Sequence, residues 1–96
     1  MDILKNFENF QKKTELNKNF NLQYMSIGLG GEVGEVLNEI KKIERDDNGI
    51  ITNSRREKIL LEMGDVLWYL QGLASRLNSN IENILKLNIE KINNKQ

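Results

Sequence analysis

Two short acidic motifs carry the chemistry this chain can do. The first is Glu32-Val33-Gly34-Glu35-Val36-Leu37; thirty positions on comes Glu62-Met63-Gly64-Asp65-Val66-Leu67. Both read acidic, apolar, Gly, acidic, Val, Leu. Residues three apart share one face of an α-helix, which turns about 100° per residue. With Glu32 at the origin of a helical wheel, Glu35 falls near roughly 300°, while Val33, Val36, Leu37, Ile40 and Ile43 spread over about 20–140°. Setting Glu62 at the origin places Asp65, Met63, Val66, Leu67, Leu70, Leu73, Ala74 and Leu77 in the same way. Each helix therefore carries a wide apolar stripe with two carboxylates along one edge. Packing the stripes together brings Glu32, Glu35, Glu62 and Asp65 toward one pocket.

Such convergence is costly without a cation. Two carboxylates about 5 Å apart repel by roughly 3 kcal/mol at an effective dielectric near 20. Summed over four acids, this rivals the roughly 5–15 kcal/mol that holds a domain folded. Either some acids protonate or a divalent metal sits among them. An all-oxygen ligand set favours a hard ion, Mg²⁺ first and Mn²⁺ second, over zinc. The bland alternative is a pair of amphipathic helices whose acids are solvated.

Composition narrows the chemistry further. Ninety-six residues make a single domain, 1–96, with a modest core, so association with copies of itself would help. Fourteen cationic and fourteen anionic side chains balance, giving no bias toward nucleic acid or an acidic membrane. The absence of Cys removes disulfides and thiol chemistry, and the absence of His removes the commonest general base and zinc ligand. Any catalysis must use carboxylates, Lys or metal. No run is long and apolar enough to cross a membrane, and the first residues lack a signal-peptide core, so the expected location is the cytoplasm.

The elements that must position the acids read as all-α, since Pro is absent and strand-like alternation is hard to find. Ile3, Leu4, Phe7 and Phe10 predict a first helix over 2–14, with the two Phe rings in the core. A polar connection follows from Thr14 to Asn21. The second helix is expected from Asn21 or Leu22 to about Arg45, with a break or a close approach where Gly28, Gly30, Gly31 and Gly34 cluster; Gly34 and Gly64 are assigned to helix–helix contact. Asp46-Asp47-Asn48-Gly49 reads as a turn. A capping box, Ser54-Arg55-Arg56-Glu57, opens the third helix, which runs to about Leu77 and is expected to be the most buried. A second box, Ser79-Asn80-Ile81-Glu82, opens the fourth, whose stripe is Ile81, Ile84, Leu85, Asn88, Ile89 and Ile92.

Leu29 to Lys42, Glu62 to Leu70 and Asn88-Ile89-Glu90-Lys91-Ile92 together resemble the MazG-type all-α nucleoside triphosphate pyrophosphohydrolases. The likeness covers the chain from about residue 22, and Phe10-Gln11 followed by Thr14 is similar to that family's opening helix. It implies a four-helix-bundle-like subunit with two long central antiparallel helices, assembling as a homodimer or dimer of dimers whose pocket is often completed by a neighbouring subunit. It implies Mg²⁺ held by Glu32, Glu35, Glu62 and Asp65. The implied reaction cleaves an NTP or dNTP to the monophosphate and pyrophosphate, clearing non-canonical or surplus nucleotides. Within that reaction Lys91 first and Lys42 second are candidates to meet charge on the leaving pyrophosphate. Asn88 is a candidate substrate contact or a buried interhelical one, and Glu35 a candidate to orient water. Gly31 stands where many members carry the first of two adjacent acids, as in relatives resembling the dCTP pyrophosphatases. Asn38 replaces a further acid, and no Arg-Tyr-Pro follows Lys91. The competing readings are a non-catalytic helical interaction module and a specialised relative resembling the phosphoribosyl-ATP pyrophosphohydrolases. No nucleic-acid polymer or membrane partner is expected.

Overall fold

In the computed structural model, residues 2–16 and 19–95 are described; Asn17 and Lys18 of the expected connection lie outside them, as do Met1 and Gln96. Four helices follow in order: α1 (Ile3–Thr14), α2 (Leu22–Asp46), α3 (Asn53–Arg76) and α4 (Ile81–Asn93), with no strand among the described residues. The all-α reading and its four helices hold, with ends within one or two residues of those expected.

The helix starts differ from both predicted capping boxes. Thr52, not Ser54, caps α3, its hydroxyl accepting from the Arg55 amide at 3.1 Å. Asn80, not Ser79, caps α4, accepting from the Asn83 amide at 2.8 Å. Thr52 and Asn80 are as competent to accept an orphan donor as the serines beside them. The C-terminal ends of α2 and α3 are closed by residues in the left-handed region. Asn48 (φ 56°) and Gly49 (φ 77°) follow α2, where the Gly49 amide returns to the Ile43 carbonyl, and Asn78 (φ 57°) follows α3. The predicted turn at 46–49 is this C-terminal cap.

α2 and α3 form an antiparallel hairpin, and its register can be read from its contacts. Glu39 meets Arg55, Glu32 meets Asp65, Gly28 lies under Tyr69 and Gly72 lies against Met25. Residue numbers fall along α2 as they rise along α3. No break interrupts α2 at its glycines. Gly28 and Gly72 are the close approaches: a Cβ on Gly28 would enter the Tyr69 ring, and one on Gly72 would strike Met25 and stand 2.9 Å from Gln11 Nε2. Gly34 and Gly64, expected at a helix–helix contact, have nothing within 4 Å of where a Cβ would be.

At the far end of the hairpin, Glu39 is 4% exposed and accepts from Lys42 (2.9 Å) and Arg55 (2.8 Å), while Arg55 also reaches Asp47 at 2.9 Å. The Lys42 hydrogen bond, opposed by desolvation and reinforced by Arg55, holds the Glu39 carboxyl below the ordinary carboxylate range. At the near end, α1 rests on α3. Buried Gln11 donates to Glu15, whose carboxylate takes the Arg76 guanidinium, and Arg76 also donates to the carbonyls of Phe20 (2.9 Å) and Gly72 (3.0 Å). Trp68 Nε1 donates to Thr14 Oγ1 at 2.8 Å.

The apolar stripes are less covered than the sequence suggests. The sealed apolar residues are Met25, Ile43 and Ala74, joined by the polar Gln11, Glu15, Glu39 and Gln71. Met63 and Leu67 on α3 remain 47% and 46% exposed, and Phe10, expected inside, is half in water. α4 packs against α1 and α3 and buries none of its own residues.

The glycines separate by contact, which generates a test. Gly34→Ala is expected to stabilise the chain by about 1 kcal/mol, the helix-propensity difference. Gly28→Ala gains the same propensity but displaces the Tyr69 ring, and overpacking of about 1–3 kcal/mol makes it a net loss. Urea unfolding of the two variants against wild type reads the opposite signs.

Candidate metal and active site

The hairpin register sets one turn of α2 against one turn of α3. Glu32 comes from α2, Glu62 and Asp65 from successive turns of α3, and carboxylate oxygens from these three lie within 4.8 Å of one another. Glu32 and Glu62 are half-buried and Asp65 is open to solvent. Glu35 stands one turn further along α2, exposed and outside the group of three, yet close enough for its charge to act on Glu32. Partial burial pushes the Glu32 carboxyl above its ordinary value of 4.5, and the charges of Asp65, Glu62 and Glu35, in that order, push it further.

A divalent cation fits this group. The donors are all oxygen, they converge from two rigid helices, and the site's own electrostatics penalise three negative charges without a counter-charge. Hard, oxygen-seeking metals match that donor set better than zinc, which favours nitrogen and sulfur.

Aromatic side chains, named in the sequence only within a motif or as stripe residues, border the acids. The Tyr69 ring lies over Gly28, one turn from Glu32 on α2 and one turn from Asp65 on α3. Burial pushes its phenol above the ordinary value, and nearby Tyr24, Glu32 and Asp65 add to the shift. Trp68 meets Tyr69 edge to face at 5.0 Å. An open apolar groove of about 280 Å³, lined by Val33, Val36, Met63, Val66 and Leu67, also borders the acids.

The residues expected to touch substrate are not gathered at the acids within one chain. Lys42 is engaged with Glu39 at 2.9 Å, further along α2 toward the turn that joins it to α3. Asn88 and Lys91 are exposed on α4, which makes no contact with α2 among the described residues. Arg76 and Glu15, which sequence reasoning did not single out, form an ion pair in which Glu15 is buried and Arg76 half-buried. Only their placement in three dimensions identifies them.

A family model described as the MazG nucleotide pyrophosphohydrolase domain matches residues 20–96. The chain is also 39% identical over 75 residues to the Gene 37 protein of Mycobacterium phage L5, a match covering 78% of this chain and 66% of that protein. The matched stretch thus spans just under two thirds of the phage protein's length. No solved structure matches. No helix among the described residues is long and apolar enough to cross a membrane.

The raised Glu32 value fixes the sign of a pH effect. An acid that binds its proton more tightly when folded loses stability for the fold as pH rises from its unfolded value, 4.5, through its raised folded value. In metal-free protein, Glu32→Gln should therefore gain stability relative to wild type across that window and stay ahead at neutral pH. Mg²⁺ at about a hundredfold above its dissociation constant should stabilise wild type by about 2.7 kcal/mol and the variant by much less. Thermal melts with and without the ion, from pH 4 to 8, read both effects.

Proposed function

The chain belongs to the MazG nucleotide pyrophosphohydrolase domain family, and from that premise we propose that it hydrolyses nucleoside triphosphates to the monophosphate and pyrophosphate with Mg²⁺, in the cytoplasmic nucleotide pool. The observation that supports this reading most is the meeting of Glu32, Glu62 and Asp65 from the two acidic motifs within 4.8 Å. These three residues would hold the cation, with Mn²⁺ as the alternative ion. Bound there, it supplies charge against the triphosphate and acidity to a coordinated water. Glu35, one turn away and outside the group of three, is left free to accept a proton from the attacking water. Attack at the α-phosphorus breaks its anhydride bond, and the electron pair leaves with pyrophosphate.

The single chain exposes more surface than one of its mass ordinarily does. It presents 7241 Å² of accessible surface, against about 5,700 Å² expected of a compact monomer of this mass. Its radius of gyration is 15.8 Å, where about 12.5 Å is ordinary for this length. The excess is comparable to the roughly 800–2,500 Å² that each partner buries in a stable dimer. We propose that a second copy covers the groove at Val36 and Leu67 and the bare stripe of α4, as homodimer or dimer of dimers. In that assembly Lys91 and Asn88 reach the acids of the partner copy and meet the triphosphate. Lys42, bound to Glu39 in the structure, would have to release that carboxylate to join them.

Wild type with Mg²⁺ should release pyrophosphate from at least one nucleoside triphosphate in a screen of canonical and damaged bases. Asp65→Asn and Glu35→Gln should each lower kcat by about a hundredfold or more, the scale of a lost acid–base or charge-stabilising group. Leu67→Glu should give a monomer by light scattering, with activity lost in parallel. Full activity in both acid variants would end the assignment.

A further inference from the structure

We propose that Tyr24, backed by Phe20, is the platform on which the substrate's nucleobase stacks; this rests on the triphosphate hydrolysis proposed above. Tyr24, Gly28 and Glu32 step by four along α2 and so share one face of it. At a rise of 1.5 Å per residue, Tyr24 stands about 12 Å from Glu32 along the helix axis. Between them lies Gly28, whose missing side chain admits the Tyr69 ring. With the α-phosphate held at the carboxylates, a nucleoside passing over the Tyr69 ring that fills the face at Gly28 reaches Tyr24 at its base end.

The platform is built before any ligand arrives. The Phe20 and Tyr24 rings stack with centroids 3.8 Å apart and planes 16° from parallel. Phe20 is half-buried, while Tyr24 keeps 46% of its surface exposed. The backing residue is anchored: Arg76, held by Glu15, donates to the Phe20 carbonyl at 2.9 Å. Tyr24 itself sits in the first turn of α2, its amide donating to the Asn21 cap at 2.8 Å. Both backbones are pinned and the two rings already stack on one another, so little ordering accompanies stacking of a base.

Direction along the hairpin favours this end. From Glu32 toward the C-terminus of α2 the chain offers no aromatic residue, only the aliphatic groove at Val36 and the Glu39 ion cluster. Every base has a flat π-face, so a bare ring gives affinity for nucleotides as a class with weak discrimination among bases. The inferred substrate class is accordingly broad in base identity, with specificity left to edge contacts.

The test compares wild type, Tyr24→Ala and Tyr24→Phe with Mg²⁺. It uses equilibrium dialysis of a non-hydrolysable α,β-methylene deoxynucleoside triphosphate, inorganic tripolyphosphate as the base-free probe, and steady-state kinetics. Wild type should bind the nucleotide analogue more tightly than tripolyphosphate. Tyr24→Ala should lose that preference, with analogue affinity and KM weakened about 5- to 100-fold, the range for one base–aromatic stack. Its kcat and tripolyphosphate affinity should stay within about threefold, and Tyr24→Phe should behave as wild type. A Tyr24→Ala protein that keeps the preference overturns the platform, as does one that loses tripolyphosphate equally, which would mark a merely structural ring. A wild type that prefers no base overturns it as well. Absence of turnover in wild type fails the hydrolysis reading, and the dialysis arm still decides the platform.

Discussion

Register between α2 and α3 is the constraint on which the rest depends. Two dissimilar clamps set it. At one end glycine makes room, with Gly28 under Tyr69 and Gly72 against Met25. At the other a buried carboxylate takes two cations, Glu39 with Lys42 and Arg55. Between these clamps the acids have no choice of neighbour. A shift by one helical turn on either side would separate Glu32 from Glu62 and Asp65. Packing and ion pairing on both flanks oppose that shift, which is how a small domain holds like charges together before a cation arrives. Strain of this kind at a binding site is offset by stability elsewhere.

That stability is not abundant within one chain. Among the described residues three apolar side chains are sealed from water, and the interior leans on amides and carboxylates. Such groups give less net stability than well-packed hydrocarbon, and here Gln11 Oε1 and Gln71 Nε2 are buried without a hydrogen-bond partner among the described residues. The apolar stripes that would make a conventional core point outward beside the acids and along α4. A second copy covering them would finish the core and the site in one step, linking folding to function through assembly.

Much of this was legible in the sequence, because helical periodicity and acids three apart are local signals. The four helices, the C-terminal cap of α2 at 46–49 and the placing of Glu32, Glu62 and Asp65 on facing edges all follow from spacing. What was not legible depends on which faces meet. Nothing local distinguishes Gly28 and Gly72, which admit neighbouring side chains, from Gly34 and Gly64, which border open space. The caps moved from Ser54 to Thr52 and from Ser79 to Asn80 because neighbouring residues of similar chemistry compete for the same donors. Gln11, Glu15 and Arg76 form the joint between α1 and α3, Gln11 donating to Glu15 and Glu15 taking the Arg76 guanidinium, a pairing that no local signal in the sequence marks. Asn88 and Lys91 lie exposed on α4, which makes no contact with α2 among the described residues, so their place relative to the acids follows from no local signal.

The central claim is that the paired acidic edges form a site for a hard divalent ion. Crystals grown or soaked with Mn²⁺ and measured at a wavelength where manganese scatters anomalously test it most directly. A single strong anomalous peak within coordination distance of Glu32, Glu62 and Asp65 is the predicted result. A map with no peak there, or with manganese seated on other residues while these three carboxylates face bare solvent, would contradict it.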